Sequence, residues 1–319
     1  MELIIESKIK ECNKDLSKNT IYTYIKNITK IVELMKITDL NIFYNDYETI
    51  INVIKTKYND SDNSQRNKLT SCNAMIKCLI TSKNKKKIEK ALEEYIKEIN
   101  ILRARINDHL DTHIKSEKET EGWLTKKDIK LITELLLKKV PKVILDIEGL
   151  NKLRDYVLFV FYQNLPSRND IAFSKFYYDD EIEMEDLSKN KELNYIILKK
   201  KEKQVLYVMN NYKTSKKYKT QTLELGNKMY KMLVDYKDKM KPFNDDDWFI
   251  LSNRGNHVSK NTLSEIYSKL GNVIGKKTSI RTNRHIIISQ NIDIAKMDDL
   301  AKRMGHDIAT AIKIYAKRN

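Results

Sequence analysis

The stretch Met304-Gly-His-Asp-Ile-Ala-Thr-Ala-Ile-Lys-Ile-Tyr315 sets a glycine beside a histidine and ends on a tyrosine nine residues later. Ile308, Ala311, Ile312 and Tyr315 step by three and four, which places them on one face of a helix. Gly305 suits the residue just past the end of a preceding helix, where a left-handed backbone is needed. Read locally, the segment is a helix end followed by a helix that buries a tyrosine. Tyr315 is the last tyrosine of the chain, and the one before it is Tyr267.

Working outward, three more segments carry unusual cations. Ser279-Ile-Arg-Thr-Asn-Arg-His285 sets Arg281 and Arg284 three apart, about twenty residues before Gly305-His306. Asn210-Asn-Tyr-Lys-Thr-Ser-Lys-Lys-Tyr-Lys219 is polar and basic, and it lies between two β-like runs. Leu165-Pro-Ser-Arg-Asn-Asp170 places Arg168 directly after an apolar helical run. Alone, each of these is a solvated surface charge.

The rest of the chain supplies the frame. Ile21, Tyr24, Ile25, Ile28, Ile31, Val32 and Met35 form a helical stripe with Asn19 or Thr20 as N-cap. Further helices are expected from about Tyr47 to Tyr58, up to about Thr81, and from about Lys85 past Leu102. Residues 1–115 therefore read as a small helical domain. The polar segment 116–122, ending in the region's first glycine, reads as a linker. Residues 123–319 read as a second domain. Thr125 with Asp128 resembles a capping box, and a helix from about Glu148 to Gln163 follows. Ile196 to Leu198, then Val205, Tyr207 and Met209, then Thr220, Thr222, Leu223 and Leu225 read as three short strands, with a hairpin around 210–219. A short apolar run spans Trp248 to Leu251. The expected fold class is mainly α with a small antiparallel β-sheet (α+β).

Bulk properties exclude several classes. The 319 residues include 60 Lys/Arg against 44 Asp/Glu, a net charge of +16. Residues 1–120 contribute 22 against 18 and the remainder 38 against 26, so the excess lies in the second part. Such a balance suits a polyanion partner. No stretch approaches the roughly 18 apolar residues of a membrane span, and the N-terminus lacks the pattern of a secretory signal. A soluble, intracellular protein is expected. Cys12, Cys72 and Cys78 fit neither a zinc pattern nor a disulfide framework, and Cys72 and Cys78 read as small core residues. His109 and His113 stand four apart but nothing complements them, so no metal site is expected. No Gly-x-x-x-x-Gly-Lys loop suggests a nucleotide, and no cofactor is expected.

Taken together, Arg168, Lys213, Arg281, Arg284, His306 and Tyr315 resemble the catalytic set of the tyrosine recombinases, the family of phage integrases and chromosome-dimer resolvases. That family carries an Arg after a helix, a Lys on a β-hairpin turn, a His-x-x-Arg box, a Gly-His pair, and a Tyr nine residues on. The order and spacing here match, and the Lys-rich flavour is similar to recombinases of virophages and large DNA viruses. The resemblance covers nearly the whole chain. It implies a helical core-binding domain and a catalytic domain that close on double-stranded DNA, with a homo-tetramer assembling there from free monomers or dimers.

It also implies a chemistry. Phosphodiester cleavage builds negative charge on the phosphate oxygens, which fixed cations stabilise. Arg168 and Arg284 would clamp the phosphate through planar, permanently charged forks. Tyr315 would attack and hold the 3′-phosphate as an ester. Lys213 would protonate the leaving 5′-oxygen, and His306 would donate a hydrogen bond. Lys216, Lys217, Lys219 and Tyr212 are the expected DNA contacts, with Asp170 and His285 behind the reacting groups.

Some features depart from the family pattern. Arg281 stands where the box usually has His, and an arginine cannot act as general base. Asp170 follows Arg168 by two residues rather than three. Four residues follow Tyr315, too few for the helix with which members dock on a neighbour. A type IB topoisomerase or telomere resolvase would use the same chemistry. A decayed, non-catalytic DNA-binding protein would keep only the binding.

Overall fold

The computed structural model describes residues 1–183, 185–290, 301, 304 and 307–317. The chain forms two compact units, Met1–Thr112 and His113–Asn319. Among the described residues no helix is long and apolar enough to cross a membrane.

The first unit is helical: α1 (Glu2–Cys12), α2 (Lys18–Met35), α3 (Ile42–Asn45), α4 (Tyr47–Lys57), α5 (Asp62–Lys77) and α6 (Lys85–Asp111). Ser17, rather than Asn19 or Thr20, caps α2, its hydroxyl accepting from the Thr20 amide at 3.2 Å. Ile28 and Ile31 of α2, Leu69, Cys72 and Met75 of α5, and Ile88, Ala91 and Tyr95 of α6 share one buried core. Tyr95 is buried there and donates its hydroxyl to the Phe43 carbonyl at 3.1 Å. This satisfies a polar group that would otherwise cost stability. Cys72 is buried, as expected, and burial pushes its thiol far up in pKa.

The second unit opens on α7 (Glu117–Glu121) and α8 (Lys126–Lys139). The segment read as a linker is thus a short helix. Ser116 caps it, accepting from the Glu119 amide, while the Glu119 carboxylate accepts from the Ser116 amide. That reciprocal pair turns a polar stretch into an ordered turn. Thr125 and Asp128 form the same device at the start of α8, as the sequence suggested. Then come α9 (Ile147–Asn164), β1 (Ser174–Tyr178), β2 (Asn194–Lys199), β3 (Gln204–Met209), α10 (Ser215–Tyr218), β4 (Gln221–Leu225), α11 (Asn227–Met240), α12 (Lys260–Leu270), α13 (Ile280–Gln290) and α14 (Ile308–Tyr315).

The chain is therefore mainly α with one small sheet, an α+β architecture. The strands run in the order β1-β2-β3-β4. The three expected strands pair antiparallel, and β1, unread in the sequence, adds parallel to β2, so the sheet is mixed. Alternate residues face opposite sides. Ile196, Leu198, Val205 and Tyr207 join the main core with Val157, Phe161 and Tyr162 of α9. Tyr195, Ile197, Leu206 and Val208 pack on the other side with Leu187. Covering on both faces explains why Ile196 to Leu198 read as an unbroken apolar run, and why Leu206 and Val208, between the alternating Val205, Tyr207 and Met209, are buried too. The Trp248–Leu251 run makes isolated bridges rather than a strand, Lys175 with Trp248 and Leu251 with His257.

Asn194, at the start of β2, fastens two loops at once. Its amide donates to the carbonyls of Asp170 (3.0 Å) and Asn211 (3.1 Å). Its carbonyl accepts from the amides of Asn210 (2.9 Å) and Asn211 (2.8 Å). The residue is fully buried. Asn194→Ala leaves several of these groups buried and unpaired, at about 1–3 kcal/mol for each one that water cannot reach. The expected result is a loss of at least about 3 kcal/mol in urea unfolding. A change below about 1 kcal/mol would show that the loops do not depend on this side chain.

Candidate active site

The arginines of the box lie on α13. Ser279 starts the helix by accepting from the Thr282 amide at 2.9 Å. Residues 281, 284, 285 and 288 then share a face, because three and four residues make about one turn. Asn283, on the opposite side and fully buried, ties α13 to α9. It donates to the Tyr162 carbonyl (2.9 Å) and accepts from the Gln163 amide (2.8 Å). This fixes α13 against the end of α9, which leads directly to Arg168. The Arg168 carbonyl accepts the Tyr162 hydroxyl at 3.2 Å.

Tyr315 ends α14. Asp307 caps that helix, accepting from the Thr310 amide at 2.7 Å. Ala311 and Tyr315 pack with Ile288 of α13, Ala301 and Met304, and Ile308 and Ile314 lie against them. Ile312, expected on that face, is instead 41% exposed. A residue three before the tyrosine falls on its face, but so does one four before it, and Ala311 takes the inner position.

These elements converge on one cavity of about 350 Å³, lined by Arg168, Asn169, Ser264, Ile280, Arg281, Arg284, Ile314 and Tyr315. The guanidinium of Arg284 lies over the Tyr315 ring, 4.4 Å from its centroid. Its Nε donates to the Pro166 carbonyl at 3.1 Å. Arg284 is only 5% exposed. Burial lowers its pKa to about 10; the neighbouring Tyr315, electrostatically and through a hydrogen bond, opposes this, and the nearby Arg168 adds to it. It stays charged at neutral pH. Three guanidinium groups around one recess favour an oxyanion with several acceptor atoms.

His285 is the next residue on this helix and is 1% exposed. Its ring meets Tyr315 edge to face, with centroids 5.1 Å apart. Arg281 Nε donates to its Nε2 at 3.4 Å, so the neutral ring carries its proton on Nδ1. Nδ1 stands 3.3 Å from Glu119 Oε1, close in charge but out of line for a hydrogen bond. Burial lowers the His285 pKa to about 4, with Arg281, Lys317 and Arg284 adding to this and Glu119 opposing.

The remaining expected residues lie as follows. Asp170 is buried and its carboxylate pairs with Lys260. Lys213, Lys216, Lys217 and Lys219 are exposed on the β3–β4 connection, where α10 replaces the simple turn expected. Lys213 is not among the residues lining the cavity. The Asp307 carboxylate is held below its usual pKa range by hydrogen bonds from Thr310, with a smaller contribution from Lys217. Tyr212 differs from its expected role as an exposed DNA contact. It is buried, and its hydroxyl donates to the Lys219 carbonyl at 2.7 Å, closing the loop from within. His306 lies outside the described residues. His113 lies beyond the end of α6. Its backbone is left-handed (φ 55°), and its Nδ1 donates to the Ala316 carbonyl at 2.9 Å.

Sequence reasoning missed Asn169 and Ser264, which line the cavity and bond each other at 3.2 Å. It also missed Glu119 and Lys317. Asn169 adjoins Arg168, but nothing local marks the other three.

No family model matches the chain, and no curated protein matches it. Among solved structures, one described as the crystal structure of XerA recombinase is similar, with a TM-score of 0.44 and 15% identity. The likeness covers 100% of this chain and 95% of that chain. Likeness of that grade carries no inference about activity.

His285 makes a pH prediction. Its folded pKa of about 4 lies below the ordinary 6.5. Between those values the unfolded chain binds the proton and the folded chain does not, so acid weakens the fold there. The stabilisation is complete above about pH 6.5 and is lost as pH falls toward 4. Urea unfolding from pH 7 to 4 should show a steeper loss for the native chain than for His285→Gln. Parallel curves would mean that His285 titrates normally.

Proposed function

We propose that this chain is a tyrosine-type DNA recombinase that cuts and rejoins DNA strands through a 3′-phosphotyrosyl intermediate, serving integration or excision of a mobile or viral element. The observation that carries the reading is the Arg284 guanidinium laid over the Tyr315 ring, in a recess shared with Arg168 and Arg281. A nucleophile and cations for its target's charge thus meet from sequence positions far apart.

In this reading the scissile phosphate enters the recess, and Arg168, Arg281 and Arg284 bind its non-bridging oxygens. Tyr315 Oη attacks phosphorus in line and gives up its proton to solvent or a neighbouring base. The bond from phosphorus to the 5′-oxygen breaks, and Lys213, on its exposed loop, protonates that oxygen. The phosphotyrosyl ester keeps the bond energy, so a 5′-hydroxyl of another strand can reverse the step. Stabilisation is greatest where charge develops in the transition state. Arg281 donates to His285, which suits a phosphate clamp and not a general base. His306, by resemblance, donates to the same phosphate. The active assembly is a homo-tetramer on double-stranded DNA.

The direct test uses nicked suicide duplexes tiled from the termini of the source replicon, run on denaturing gels. The native chain is expected to give a covalent band that Tyr315→Phe abolishes. DNA binding with salt dependence but no adduct on any duplex would favour a non-catalytic binding protein. Adducts at any sequence, with relaxation of supercoiled plasmid by a monomer, would favour a type IB topoisomerase.

The basic loop gives a second prediction. Each lysine that neutralises a phosphate adds about 0.9 to the slope of log K against log salt. Changing Lys216, Lys217 and Lys219 together to Ala should lower that slope by roughly 2 to 3. An unchanged slope would remove this loop from the DNA contact.

A further inference from the structure

The carboxylate of Glu119 lies at a junction that the catalytic reading leaves unused. It is held by the capping box of α7, with Oε2 accepting from the Ser116 amide (2.9 Å) and hydroxyl (3.1 Å). Oε1 faces His285 Nδ1, and Oε2 lies 3.9 Å from Lys317 Nζ. Its side chain is 12% exposed. Burial would raise its pKa, but the Ser116 hydrogen bonds and the electrostatic influence of His285 and Lys317 outweigh that and lower it. It is therefore an anion at neutral pH.

The two groups it faces flank Tyr315. His285 packs edge-on against the tyrosine ring. Lys317 is two residues beyond it and nearly buried. The backbone between them is tied down as well. The Lys317 amide donates to Ser289 Oγ at 2.7 Å, and Lys317 Nζ donates to the Ile114 carbonyl at 3.3 Å. The Ala316 carbonyl accepts from His113. The segment 113–119 thus grips the chain on the far side of the tyrosine, and the grip is made within the same chain.

We propose that Glu119 is a positioning residue for Tyr315, holding the His285 ring and the Lys317 ammonium so that the tyrosine keeps its place against Arg284. This rests on the reading of Tyr315 as the nucleophile. Glu119 is not among the residues that line the recess. It acts by countering the charge of the Lys317 ammonium and by facing the polar Nδ1–H of the neutral His285 ring. Small displacements of a reacting group cost much rate, which makes such a brace kinetically visible.

Two readouts test it on the full chain. The first is adduct formation in single turnover at saturating suicide duplex. The second, independent of activity, is backbone hydrogen exchange of residues 308–317. Glu119→Gln keeps shape and removes charge. It is expected to leave the dissociation constant for duplex unchanged, slow adduct formation by about tenfold to a hundredfold, and speed exchange in 308–317 alone. Lys317→Met, which removes the other partner, is expected to slow the reaction too. The double variant should be no slower than the slower single, because the two act as one unit. Wild-type rate and unchanged exchange in Glu119→Gln would overturn the proposal, as would effects that multiply in the double variant. If the native chain forms no adduct, the recombinase reading falls. Exchange then decides alone: faster exchange confined to 308–317 supports the brace, and unchanged exchange overturns it.

Discussion

The buried guanidinium of Arg284 against the Tyr315 ring is the contact on which the second unit depends. A buried charge is costly unless it is paired or hydrogen-bonded. Among the contacts of Arg284 are the Pro166 carbonyl and the electron-rich face of a tyrosine. With Arg168 and Arg281 on the same recess, positive charge is held ready in advance. A phosphate entering there would meet donors already in place, with no reorganisation at the moment of reaction.

The rest of the unit explains how that arrangement persists. Asn283 locks α13 to α9, and α9 delivers Arg168. Asn194 secures the backbone at Asp170 and at the start of the basic loop. Ile288 of α13 packs with Ala311 and Tyr315 of α14. On the other side, Glu119, His113 and Ser289 tie down the residues after the tyrosine. The sheet contributes indirectly. Its inner face anchors α9, and its β3–β4 connection carries Lys213 and its neighbours.

Much of the frame was legible because its signals are local. The helical stripe of α2, the capping box at Thr125, the apolar run of β2 and the alternation in β3 are each carried by neighbouring residues. Strand β1 escaped notice because it sits at the sheet edge and its residues carry no alternation. Helix α7 read as a linker because it is polar throughout, and its order comes from the Ser116–Glu119 pair. Tyr212 was misplaced because composition cannot tell which way a tyrosine in a basic loop turns. The convergence of Arg168, Arg281, Arg284 and Tyr315 on one recess was suggested by their resemblance to a known pattern and not by any periodicity. Glu119 and Lys317 had no such guide. Their meeting with His285 depends on tertiary packing across sequence separations of more than a hundred residues.

The most direct measurement of the proposed reaction is whether DNA joins covalently to the chain and, if so, on which residue. A trapped complex, digested with nuclease and protease and read by mass spectrometry, should show a 3′-phosphonucleotide on the peptide that contains Tyr315. A nucleotide on any other side chain would contradict the account. So would a trapped complex in which Tyr315 is unmodified.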